Sequence, residues 1–145
     1  MVWLEKVTPD NYRECLKLKV AEDQKDFVTS NDISLARAVA SYDKVTPFAI
    51  YNDDIMVGFI MLRYNVGYNN YLIWQLMIDE RYQSKGYGKK GINLAIEWMK
   101  KEDRCYEIVL TYKEENRLAE SMYTKLGFKK MGDVVDGEVD MVLKF

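Results

Sequence analysis

Two stretches of the chain carry residue types at spacings that chemistry could use, and one residue type is missing. None of the 145 residues is histidine. That removes His-based triads, His metal ligands and a His general base, leaving Tyr, carboxylates, Lys, Cys and backbone groups for any catalysis. The first stretch is Gln83-Ser84-Lys85-Gly86-Tyr87-Gly88-Lys89. Glycines let backbone approach an anion, and a helix opening here would aim its free first-turn N–H groups, with the positive dipole end behind them, at that anion. Lys85, Lys89 and Lys90 add charge, and no acidic side chain occurs from Arg81 to Ile96. The pattern is neither the dinucleotide fingerprint G-x-G-x-x-G nor a Walker loop. A helix start with glycine punctuation and a solvated lysine face is the plain alternative. The second stretch runs from Asn116 through Ala119 and Tyr123 to Gly127-Phe128.

Both stretches need a frame. Residues 2–7 read as a first strand, and Thr8-Pro9 suits an N-cap and first helical position, so a helix is expected over 9–20. A second helix follows Ser30 or Asn31, with Ile33, Ala36, Val39 and Ala40 at helical spacing. Residues 46–51 and 55–64 form a hairpin around Asn52-Asp53-Asp54, and 71–78 a further strand. Residues 86–101 put Ile92, Ala95, Ile96 and Met99 on one helical face. A strand over 107–112, a helix over 116–126 ended by Gly127, and a hairpin of 128–134 with 138–145 around Asp136-Gly137 complete the order βααβββαβαββ. This predicts an α/β (α+β) fold in one domain, residues 1–145: a mixed, twisted sheet of about seven strands with four helices on both faces.

Taken together, Q-x-x-G-x-G from Gln83 and N-x-x-A-x-x-x-Y-x-x-x-G-F from Asn116 resemble the GCN5-related N-acetyltransferase (GNAT) superfamily. Pro47-Phe48-Ala49-Ile50-Tyr51, Val57-Gly58-Phe59, Trp74-Gln75-Leu76-Met77-Ile78-Asp79 and Gln24-x-x-Phe27-Val28 extend the likeness over nearly the whole chain, toward its bacterial spermine/spermidine branch. The resemblance implies an acetyl-CoA-dependent transfer of an acetyl group to a primary amine. Acetyl-CoA would lie between the 71–78 and 107–112 strands, held by backbone of Leu76, Met77 and Ile78. Its pyrophosphate would rest on Gln83, Ser84, Lys85, Gly86, Tyr87, Gly88 and Lys89, and its pantetheine arm against Asn116. Tyr123 would stand near the sulfur, where its phenol can protonate the leaving thiolate. An N-cap role for Asn116 and a core role for Tyr123 are the alternatives.

The general base and the acceptor are less defined. Some polyamine acetyltransferases carry a carboxylate nine residues before the phosphate-loop Gln, where this chain has Trp74. Glu22, Asp26 and Asp79 are the substitutes, and Glu22, Asp26 and Trp74 the substrate-binding candidates. Glu22, Asp23, Asp26 and Asp32 against Lys25, and the base-free set Asp133, Asp136, Glu138 and Asp140, suit a polycation such as spermine or spermidine, or are ordinary solvated faces. A protein lysine, amino sugar or drug as acceptor, and a non-catalytic acyl-CoA-binding module, remain alternatives.

Composition narrows the partners. Twenty-one basic against twenty-three acidic side chains give a net charge of −2, against a nucleic-acid binder. No apolar run approaches the roughly 20 residues that span a bilayer, and the start lacks a secretory pattern, so no membrane and a cytoplasmic location are expected. Cys15 and Cys105 are read as unpaired thiols. No metal is expected, and a homodimer is compatible with the resemblance.

Overall fold

Side chains alternate along the middle strands, and both faces are apolar. On β2 (Val45–Asn52) and β3 (Ile55–Asn65), Phe48, Ile50, Val57, Ile60 and Leu62 join one core. Ala49, Tyr51, Met56, Phe59 and Met61 join another on the opposite face. A strand apolar on both faces must be covered on both. The computed structural model describes residues 1–102 and 105–145, and within them the chain does this with four α-helices. The α1 (Tyr12–Lys17) and α2 (Asn31–Ala40) helices cover the second core, and α3 (Tyr87–Lys101) and α4 (Arg117–Lys125) the first. With β1 (Val2–Lys6), β4 (Asn70–Ile78), β5 (Glu107–Lys113), β6 (Lys129–Val135) and β7 (Glu138–Lys144), the seven strands lie in the order β1-β2-β3-β4-β5-β7-β6. Pairing is antiparallel throughout except between β4 and β5, which α3 connects.

The predicted order of elements and mixed sheet are found. The α3 helix buries the expected Ile92, Ala95, Ile96 and Met99, each large side chain contributing about 1.5–3 kcal/mol by leaving water. Gly91 sets its distance from the sheet: a Cβ there would come within 2.7 Å of Ile50 Cδ1. The final hairpin turns through Asp136 and Gly137, both at positive φ (52° and 74°), as an Asp-Gly turn requires.

Two helices differ from expectation. The α1 helix spans 12–17 rather than 9–20 because its ends are claimed by other bonds. The backbone N–H groups of Thr8 and Asp10 donate to Asn11 Oδ1 (2.8 Å) and Thr8 Oγ1 (3.2 Å), holding 8–11 as a turn, and Lys19 N donates to the Asp79 carboxylate (3.1 Å), drawing the chain off the helix. In α2 the buried face is Asn31, Ser34 and Ala38, whereas Ile33 and Val39 are 48% and 75% exposed. The Asn31 side chain donates Nδ2 to Cys15 O (2.9 Å) and fixes this rotation. Counting apolar residues misses a helix oriented by a buried amide.

Candidate active site

The site begins with one extra residue in β4. Met61 pairs with Gln75 and Leu62 with Ile73, which leaves Trp74 without a partner on β3. Such a bulge raises local twist and bends its strand. On the opposite edge β4 pairs with β5 through Tyr71, Leu72 and Ile73 against Ile108, Val109 and Leu110, and no further. Beyond Trp74, β3 keeps its hold on β4 while β5 follows β7 instead. Gly58 permits the close β3 contact, since a Cβ there would lie 2.6 Å from Met77 O. A wedge therefore opens along one edge of Leu76, Met77 and Ile78.

Two cavities fill this wedge. One, of about 340 Å³, is lined by Leu76, Met77 and Ile78, by Gln83, Ser84, Gly86, Tyr87, Gly88 and Lys89, and by Asn116, Met122 and Tyr123. Lys85 is exposed in the same loop but outside this wall. At the loop, Ser84 and Gly86 take positive φ (62° and 84°) and Gly86 opens α3 without a side-chain cap. The helix's first backbone bond is Lys90 N to Gly86 O, and its first turn has no acidic residue. The amides ahead of Lys90 thus have no partner within the helix, and Gly86, Tyr87, Gly88 and Lys89 line the cavity. Gln83 secures the loop, donating Nε2 to Ile78 O (2.9 Å) and Gln24 Oε1 (2.7 Å), and Tyr87 accepts from Asn52 Nδ2 (3.0 Å).

The second cavity, of about 360 Å³, lies on the other side of Tyr123, between the segment before α2 and the β6–β7 turn. Phe27, Thr29, Arg37, Trp74, Tyr112, Lys113 and Glu138 contribute to its wall. Val28, Leu76, Asn116, Ala119 and Tyr123 belong to both cavities and mark their junction. Tyr123 is only 8% exposed, and burial pushes its phenol up to about 12. It therefore stays a protonated donor across the neutral and mildly alkaline range. Asn116 caps α4, accepting from Ala119 N at 3.3 Å, so the N-cap role is present. The same side chain lies at the cavity junction.

The carboxylate candidates are placed elsewhere. Asp79 is 1% exposed, lines neither cavity, and accepts from Arg81 Nε (2.8 Å), Arg81 N (3.0 Å) and Lys19 N (3.1 Å). Burial alone would raise its pKa, but these bonds and the Arg81 charge hold it below the usual value. It is a structural knot at the end of β4, which removes it as a base. Glu22 is exposed and pairs with Lys25 (2.7 Å), a contact that lowers its pKa, and neither Glu22 nor exposed Asp26 lines either cavity. Trp74 does line the second cavity. Sequence reasoning passed over Arg37, Tyr112 and Lys113, which have no motif spacing and reach the site only through the packing of α2 and the divergence of β5.

Residues 8–128 match the acetyltransferase (GNAT) family, and the chain belongs to it. It is 32% identical over 146 aligned positions, covering 96% of this chain and 95% of the relative, to a spermine/spermidine N(1)-acetyltransferase of Bacillus subtilis. Two solved structures share the fold. The PaiA N-acetyltransferase of Thermoplasma acidophilum in complex with coenzyme A has a TM-score of 0.76 at 21% identity, over 100% of this chain and 99% of that one. The spermidine N-acetyltransferase of Vibrio cholerae in complex with CoA and spermine has a TM-score of 0.81 at 18% identity, over 99% and 95%. The protein is an acetyl-CoA-dependent acetyltransferase of the GNAT type. No helix among the described residues is long and apolar enough to cross a membrane.

Proposed function

We propose that the protein acetylates a primary amine of a polyamine such as spermine or spermidine, with Tyr123 as general acid. The observation that carries this reading is the position of Tyr123, buried where a cavity ending at the open N-terminus of α3 meets a second cavity open to an acceptor. Acetyl-CoA fits the first: the α3 amides and Lys89 suit its phosphates, and the unpaired edge of Leu76, Met77 and Ile78 suits an amide-bearing arm added like a strand. Backbone N–H groups on that edge can receive the charge that develops on the carbonyl oxygen as the amine attacks. The neutral amine nitrogen forms the new bond to the acetyl carbon, and the carbon–sulfur bond breaks as Tyr123 delivers its proton to sulfur. The proton shed by the acylated nitrogen passes to solvent, from which the Tyr123 phenolate is reprotonated.

Burial acts on both partners in the proton transfer. A phenol held near 12 would be a poor acid toward an exposed thiolate, whose conjugate acid lies near 8.5. Burial raises thiols too, and in this protein it pushes the Cys15 thiol up to about 12. A sulfur leaving inside the cavity would be shifted in the same direction as the Tyr123 phenol, which narrows the gap between them.

The names of the relatives support the polyamine, and so does an acidic rim. Glu114 N donates to Gly137 O (2.9 Å), bringing the β5–α4 junction against the final turn, so that exposed Glu114 and Asp136 flank the turn beside Glu138, which lines the acceptor cavity and pairs with Lys113. Distal ammonium groups can be held there while one amine reacts. Exposed charges are screened beyond about 8–10 Å at physiological salt. Raising salt should therefore raise KM for spermine more than for a monoamine of similar length, with smaller changes in kcat. A salt-insensitive preference for a monoamine would refute the polyamine while leaving the acetyltransferase in place.

A further inference from the structure

We infer that Arg37, Trp74 and Arg63 form an oxyanion subsite on the acceptor cavity, so that amines bearing a carboxylate or phosphate are acetylated in addition to polyamines. The inference rests on the amine-acetyltransferase reading and extends its substrate class. Trp74 is the bulged residue of β4, and its ring has two guanidinium groups against it, Arg37 at 5.4 Å and Arg63 at 5.1 Å from the ring centroid. Trp74 and Arg37 line the cavity, and Arg63, on β3, backs the indole.

The charge balance gives this cluster meaning. Neither guanidinium has a carboxylate within 4.0 Å among the described residues, and Arg63 Nε is buried with no hydrogen-bond partner. An exposed arginine alone would signify little, because water satisfies it. A buried guanidinium N–H without a partner is costly, and the second guanidinium against the same indole carries the same sign and so offers no relief. The other charged pair of this wall, Lys113 and Glu138, is mutually neutralised at 3.6 Å. Among the charged side chains that line the cavity itself, Arg37 is therefore the one left without an opposite charge, and it stands against Trp74. Guanidinium forks match the planar oxygens of carboxylate and phosphate, and stacking on the indole fixes their planes. An acceptor can then span the cavity, with its amine near Tyr123 and its anion at Arg37, while polyamine ammonium groups are turned away from this wall toward the acidic rim.

Matched amines test this directly. Lysine and cadaverine differ by one carboxylate, and O-phosphoethanolamine and ethylamine by one phosphate, so the two pairs also separate the two anions. With acetyl-CoA and CoA release as readout, kcat/KM should favour the anionic member of at least one pair by about tenfold, the scale of one charge-assisted hydrogen bond. Arg37→Gln should reverse this preference: activity on the anionic amine falls about tenfold and activity on cadaverine and spermidine rises as repulsion is removed. Arg37→Lys, which keeps the charge without the fork, should fall between. Spermidine turnover also reports that each variant is folded. Equal rates within both pairs, or an Arg37→Gln effect equal on anionic and plain amines, would overturn the subsite. Spermidine turnover accompanied by that result leaves the proposed function standing, whereas no turnover of any amine removes both.

Discussion

The two ends of β4 are one strand with opposite tasks. At the first, Tyr71 and Ile73 are nearly fully buried and paired on both edges, to β3 and to β5. At the second, from Gln75 to Ile78, β3 still pairs but β5 has left, and the free edge lines a cavity. A single bulged residue separates them. Open backbone in a sheet interior is unfavourable unless a partner completes it, so the second end is where a strand-like ligand would be accommodated. Damage at the closed end should register as stability, and damage around the open end as binding or chemistry.

The largest effect is expected at the closed end. Ile108, fully buried opposite Tyr71, should cost about 2–5 kcal/mol of unfolding free energy when changed to Ala, with turnover per folded molecule retained. Denaturant titration alongside kinetics checks both halves. Next comes Tyr123→Phe, which removes the proton donor while preserving the ring contacts with Tyr112 and Phe128. It should lower kcat by roughly 10²-fold with little change in acetyl-CoA affinity. A variant with wild-type kcat, chemistry being limiting, would end the acid role. With its phenol near 12, wild-type kcat/KM should climb with pH as the amine deprotonates, showing no falling limb below about pH 11 from loss of the Tyr123 proton.

Asp79 closes off the open end, and its substitution sharpens the comparison because it lies beside the site without lining it. Its folded pKa is below the ordinary 3.8, so the ionised carboxylate stabilises the fold above that value and the benefit disappears as pH falls through the lower, folded value. Asp79→Asn should cost about 1–3 kcal/mol near neutral pH, and its deficit against wild type should shrink below pH 3.8. A deficit that grows on acidification would contradict this. The smallest effect is expected from Gly86→Val. No protein atom lies within 4 Å of where its Cβ would be, so within the protein the penalty comes from φ +84°, which a β-branched residue resists. Acetyl-CoA affinity by calorimetry should fall more than about tenfold, because the loop's backbone must shift.

Much of this molecule is legible in its sequence. The α3 face, the hairpin turns and the two motif loops all follow from local rules, because glycine conformation, capping and amphipathic spacing act within a few residues. The rotation of α2 does not, because it depends on Asn31 reaching Cys15, sixteen positions away. Asp79 reads as an ordinary carboxylate until Lys19 and Arg81 are seen around it, and the Trp74 bulge exists only in its register against β3. Arg37 and Arg63 belong to elements with no motif, and only folding puts them against one indole. What the sequence conceals are the long-range contacts that decide charge balance in the acceptor cavity.

The central claim is that the open edge of β4 and the first turn of α3 receive acetyl-CoA. Hydrogen exchange of the full chain, with and without acetyl-CoA, measures this at the backbone groups concerned. Slowed exchange should appear within 74–78 and 87–89, leaving the already paired 71–73 unchanged. Acetyl-CoA that binds without slowing either segment, or that protects only a different surface, would contradict the account.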